Sequence, residues 1–162
     1  MSGQTSYAFE PAIAIEGMIA DSGVRDVISR LLESTVSDAG LFHVKGTATD
    51  QTKLPGAAGD ITNFLQGVSV YEPMRPATDS ANRLKIKDMV PLMRRGRIWV
   101  KVAGTALVDN GPVFVIHSGA DAGKASGAVG AGPDATAVPN GAAKCLKGGA
   151  PGALALIDLN LP

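Results

Sequence analysis

The chain has 162 residues, room for one domain, or one domain and an arm, burying about two thirds of its unfolded surface without disulfides or metal. Hydrophobic residues make up 45%, which excludes a wholly disordered chain, and thirty of the 162 residues are glycine or proline against about 12% in ordinary proteins, so short elements and many turns are expected. Fifteen basic and fifteen acidic side chains cancel, so no long-range attraction to nucleic acid or an anionic membrane is expected; a partner must be held by shape, apolar burial and backbone pairing.

No stretch approaches eighteen uninterrupted apolar residues, so no membrane span is predicted, and MSGQTSYAFEPAIAIEG lacks the basic segment and long apolar run of a secretory signal. Within residues 1–20, Tyr7, Phe9, Ile13, Ile15 and Met18 are too apolar for a free tail, while Pro11 and Gly17 interrupt any regular period. Such a segment fits either an extended arm lying on a neighbour or a first strand of the chain's own sheet. Next, Val24, Val27, Ile28, Leu31 and Leu32 follow the spacing of an amphipathic helix.

From residue 41 the pattern turns to strands. LFHVKGT (41–47) is a short one ending at Gly46, and 49–60 reads as a loop by its proline and glycine content. FLQGVSVY (64–71) alternates Phe64, Gln66, Val68 and Val70 with Leu65, Gly67, Ser69 and Tyr71, and 72–83 is a polar loop. KDMVPLMRRGRIWVKV (87–102) reads as a hairpin with a two-residue turn at Arg95-Gly96, pairing Met93 with Ile98 and Leu92 with Trp99. Met89, Pro91, Met93, Ile98 and Val100 then form a core face. Val90, Leu92, Trp99 and Lys101 form a second face that needs a cover of its own. Trp99 sits there either under one of the chain's own loops or against a partner. Arg94, Arg95 and Arg97 fall at the tip, as a solvated turn or a contact for an acidic patch. Asn110-Gly111 announces a turn before PVFVIH (112–117), and 118–141 is loop-dominated with one weak strand. AKCLKGG (143–149) and GALALIDLNLP (152–162) make a closing pair, with Ala155, Ile157, Leu159 and Leu161 on one face.

Candidate chemistry fails on spacing. SGADAGKA has three residues rather than four between Gly119 and Gly123, and Ala125 follows Lys124 where a phosphate loop needs a hydroxyl for magnesium. GAVGAG reverses the dinucleotide fingerprint, and no G-x-S-x-G elbow exists. One cysteine, Cys145, and two isolated histidines, His43 and His117, fall short of a four-ligand zinc site, so no metal, cofactor or catalytic residue is expected. The aspartates beside turns lack calcium-loop spacing.

The ordered set DSGVRDVISR (21–30), KLPGAAGD (53–60), FLQGVSVYEP (64–73), RRGRIWVKV (94–102), NGPVFV (110–115) and ALALIDLNLP (153–162) resembles the structural cement, or decoration, proteins of tailed bacteriophages. The resemblance implies an all-β fold and a non-enzymatic role on the outer surface of the virion capsid. It also implies partnership with the major capsid protein and assembly as a homodimer or homotrimer, while the balanced charge and the lack of an apolar span leave no nucleic-acid or membrane partner expected. It places a strand at Asp26–Leu32 against the local helical spacing. The expected architecture is a small β-barrel or jelly-roll-like sandwich of about eight strands over 21–162, with an extended N-terminal arm over 1–20. The protein would be made in the host cytoplasm and bridge neighbouring capsomers. The candidate interface residues are Tyr7, Phe9, Ile13, Ile15, Leu92, Trp99, Arg94, Arg95 and Arg97. The rival is a phage-encoded β-barrel adaptor, or a ligand-binding or hydrolytic module.

Overall fold

The computed structural model describes residues 14–21, 23–33, 37–72, 84–128 and 134–162, and what it shows is mostly strand. β1 is Asp26–Leu32, the segment whose local spacing is helical. Pairing decides it: β1 lies antiparallel to β5 (Met89–Lys101) from Asp26 opposite Arg95 to Leu31 opposite Met89. Along its other edge, Leu31 and Leu32 pair in parallel with β3 (Gln51–Lys53). Long-range hydrogen bonds on both sides outweigh a helix of seven residues, which is marginal in isolation. β2 (Phe42–Lys45) and β4 (Leu65–Ser69) complete the set.

These five strands close on themselves in the order β1-β3-β2-β4-β5 and back to β1. Leu92 shows the closure directly, because it pairs with Ile28 of β1 on one edge and Ser69 of β4 on the other. The result is a small β-barrel, with its open edges largely removed. Side chains of one alternation fill the lumen: Leu32, Val90 and Leu92 pack with Leu84 and Ile28. The register adds Thr52, opposite Leu32, and Ser69, opposite Leu92. The other alternation, Phe42, Val44, Val68 and Met93, points out of the barrel into a second and larger core.

That larger core exists because β5 outruns the barrel. Its second half pairs with β10 (Leu154–Asn160), from Arg95 opposite Asn160 to Lys101 opposite Leu154, and β9 (Ala143–Lys147) lies beyond β10. A three-stranded sheet of β6 (Phe114–Ile116), β7 (Ala125–Ser126) and β8 (Ala135–Ala137) adds to it. Ala155, Ile157, Leu159 and Leu161 all face this core, as the alternation of the last strand predicts.

Two expectations are corrected. The hairpin at Arg95-Gly96 does not form: Met89–Lys101 is one continuous strand. Gly96 does take a positive φ of 120°, but the chain kinks there instead of turning back, since β10 supplies the partner that the second half needs. The apolar grouping survives the error in part, because Met93, Ile98 and Val100 share the larger core while Val90 and Leu92 share the lumen. Met89 and Pro91, expected on the core face, are outside both. Residues 49–60 are not all loop either, for they hold β3 and the start of α1 (Ala58–Phe64), so Phe64 ends a helix and does not begin a strand. The Asp60 carboxylate accepts hydrogen bonds from the Gly56 and Ala57 amides at 3.0 and 3.2 Å, tying down the helix start. With one buried residue, Ile61, in seven, α1 carries no readable periodicity.

Candidate functional site

The described residues hold one pair with the spacing of nucleophile and base. Ser37 Oγ and His43 Nε2 lie 2.9 Å apart, brought together because β2 places His43 at the barrel wall and Ser37 bridges to Leu84. Both are sealed from solvent, and His43 Nδ1 is buried without a hydrogen-bond partner, so no third group orients the ring. Burial pushes the His43 pKa down to about 3, which keeps the imidazole neutral. A substrate cannot reach the pair; it pins the barrel. Cys145 is likewise buried, and burial, followed by the charge of Asp109, raises its pKa. Among the described residues no three His, Cys, Asp or Glu side chains converge on a possible metal position.

What the fold does present is an apolar outer wall. By register, Val27, Ser29 and Leu31 of β1 share a face with Met93, Pro91 and Met89 of β5. Met93 is swallowed by the larger core, but Met89 is 54% exposed, Val27 41%, and Ile86 in the turn before β5 51%. Val24, just before β1, is 90% exposed. These aliphatic side chains are exposed although the protein has full cores of its own. Phe64, also exposed, stands apart from it beside a shallow cavity of about 270 Å³ lined by Lys45, Lys53 and Asp60.

The interface residues expected from sequence scatter. Tyr7, Phe9 and Ile13 lie outside the described residues. Ile15 is exposed. Beyond it the chain runs along β5: the Gly17 amide donates to the Trp99 carbonyl at 2.8 Å, and the Trp99 amide to the Met18 carbonyl at 3.0 Å. Lys101 meets Glu16 at 2.7 Å, and the hydrogen bond its ammonium donates to that carboxylate leads in raising the lysine's pKa. Trp99 itself is 8% exposed and Leu92 is fully buried in the barrel, so the second apolar face of the expected hairpin is covered by the chain's own elements. The three arginines sit along a strand and not on a tip. Arg97 bonds Asp21 at 3.0 Å, Arg94 stands 4.0 Å from Asp26, and Arg95 Nε donates to the Leu161 carbonyl at 3.5 Å beside an open groove of about 400 Å³. Surface pairs of this kind contribute about 0–1 kcal/mol and leave little free positive charge. Sequence reading missed Val24, Val27, Ile86 and Met89 as surface residues. The alternation of Val27, Ser29 and Leu31 against Ile28, Arg30 and Leu32 carried the signal, but a helical stripe fits the same residues.

Among the described residues, then, the barrel holds a serine–histidine pair sealed from solvent and carries exposed aliphatic side chains on its outside. The family model described as structural cement protein (E217 gp24/Pam3 gp6) matches residues 3–160. The chain belongs to this family of phage capsid cement proteins, and its place is the virion capsid. A chain from the capsid of Myoviridae phage XM1 has the same fold, with a TM-score of 0.74 at 18% identity over 99% of this chain and 98% of that one. No curated protein matches the chain.

Proposed function

We propose that the protein is a non-catalytic clamp that sits on the outside of the assembled head as a homo-oligomer and bridges neighbouring subunits of the major capsid protein. The observation that carries this reading is the outer wall of β1 and β5, where Val27, Leu31, Pro91 and Met89 share the outward face of the barrel and Ile86 is exposed in the turn before β5. The arm extends the contact in this reading, with Tyr7, Phe9, Ile13 and Ile15 as its apolar anchors on a neighbour. Each such side chain contributes about 1.5–3 kcal/mol on burial before ordering costs. Repetition over a lattice multiplies a modest contact into firm attachment. Zero net charge and internally paired arginines favour apolar docking, with no part for nucleic acid.

Co-sedimentation with undecorated capsids tests this at about 0.05 and 0.5 M salt, which straddle the usual screening range. The intact protein should pellet with capsids at both salts. Ile86→Asp and a variant lacking residues 2–13 should each stay folded and pellet poorly. Undiminished binding by both variants would place the capsid contact elsewhere. A steep loss of intact protein at high salt would move it to Arg94, Arg95 and Arg97. A copy number far below that of the major capsid protein would favour the adaptor instead.

A further inference from the structure

Among the described residues, part of one barrel edge has no paired strand. On the side of β1 away from β5, the Leu31 amide donates to the Asp50 carbonyl and the Glu33 amide to Thr52, each at 2.9 Å. The odd-numbered backbone groups therefore point to that side. β3 covers β1 only from Leu31 onward, because the chain before Gln51 turns away. Among the described residues none pairs there with Val27 or Ser29, and both are exposed. An unpaired edge is a template for another strand.

The sequence along that edge is self-complementary. In Asp-Val-Ile-Ser-Arg, residues 26–30, a two-fold axis through Ile28 would set Asp26 of each strand opposite Arg30 of the other. It would also set Val27 opposite Ser29 as hydrogen-bonded pairs, which is the register that the outward direction of the odd-numbered groups requires. Asp26 and Arg30 would then form non-hydrogen-bonded pairs, where side chains approach most closely. Among the described residues, each charge has only a long or local contact within the subunit. Asp26 meets Arg94 only at 4.0 Å, and Arg30 Nε is buried without a hydrogen-bond partner while Nη1 bonds the Ser29 carbonyl next door at 3.3 Å. We infer that two copies of the chain join antiparallel, β1 to β1 about Ile28, so that two barrels share one continuous sheet edge held by paired Asp26–Arg30 contacts. Arg30 gives up its bond to Ser29 in exchange for the carboxylate and the inter-strand amide.

This interface rests on the homo-oligomer reading above and supplies its geometry. Five residues of edge fall well short of the ~1,200 Å² of stable interfaces, so the contact is weak in solution and is reinforced where the capsid holds copies side by side. Crosslinking, which traps weak contacts, is the suitable measurement. Ile28→Cys places two thiols at a non-hydrogen-bonded pair, with Cα atoms about 4.5 Å apart, inside the disulfide range. Mild oxidation should give a covalent dimer, and the unaltered chain, whose Cys145 is buried, should give none. Because Ile28 touches the lumen, a V27C/S29C variant repeats the test at two exposed positions that leave the core intact. Arg30→Asp in either background should lower the dimer yield about tenfold through like charges set face to face, and adding Asp26→Arg should restore it. Failure of both cysteine variants to crosslink, or indifference to Arg30→Asp, overturns the interface. If the unaltered protein nonetheless sediments as an oligomer, the homo-oligomer reading stands and this edge alone is wrong. A monomer both in solution and on capsids would remove both.

Discussion

The two cores of this protein are built on opposite principles although they share β5. In the barrel lumen a few aliphatic side chains are mixed with buried polar ones, and each polar group is tied to a particular place. Thr52 Oγ1 donates to the Val44 carbonyl at 3.0 Å, and Ser69 Oγ accepts from the Leu41 amide at 3.1 Å and donates to the Asp38 carbonyl at 2.9 Å. Ser37 and His43 join the barrel wall to the chain around Leu84. The larger core beside it, between the outward side of the barrel and β9 and β10, is built around a much larger cluster of packed apolar side chains. In the lumen, backbone closure fixes the space and hydrogen bonds specify what fills it. In the larger core no ring of backbone bonds defines the volume, so burial and close packing must hold the layers together.

This contrast can be broken from either side. The largest effect is expected in the apolar core: Phe42→Ala should cost about 3–5 kcal/mol, measured by chemical denaturation, because a large void opens where nothing polar can admit water. Trp99→Ala belongs at the same level and should leave oligomer mass unchanged, since the ring is covered by the chain itself. A loss of mass with little loss of stability would instead put Trp99 at an interface. Leu92→Ala in the lumen should cost about 2–5 kcal/mol, toward the lower end if the closed backbone keeps its shape. A larger loss than Phe42→Ala would reverse the comparison.

A smaller effect separates the cores by chemistry. His43 is held near pKa 3 when folded against 6.5 unfolded, so the unfolded chain binds the extra proton between those values. The contribution of burying it neutral is complete above pH 6.5. It falls by about 1.4 kcal/mol per pH unit as acid approaches 3. Glu33, held below the usual carboxylate range by the Thr47 hydroxyl and amide, adds a loss that begins as pH falls below its ordinary value of 4.5. Unfolding curves across pH 4–7 should slope in the unaltered protein and flatten in His43→Gln; equal slopes would mean His43 is not the group responsible. The smallest effect is expected at the surface, where Arg97→Ala, losing its bond to Asp21, should change stability by about 1 kcal/mol or less.

What could be read from the residues follows from how local each signal is. The closing strand was legible because Ala155, Ile157, Leu159 and Leu161 alternate without interruption and one face is fully buried. The Asn110 turn was legible because Asn110 takes a positive φ of 62° that few other residues accept. The strand at Asp26–Leu32 came from family resemblance alone, since its own spacing favours a helix. The hairpin failed on an ambiguity that no local pattern resolves. Gly96 needs a positive φ in a turn and in a kink alike, and apolar residues on both sides of it suit either partner.

By itself the sequence determined that this is a turn-rich β protein with the element order of the phage structural cement family. Those conclusions depend on composition, spacing and element order, which every residue carries with it before folding. Only the tertiary structure decided that Leu92 and Trp99 belong to the interior and that Arg94 and Arg97 face aspartates of the same chain. It alone left Val27, Met89 and one edge of β1 at the surface. Exposure is a property of what lies opposite a residue, and here opposite elements stand about eighty positions apart, as Gly17 and Trp99 do.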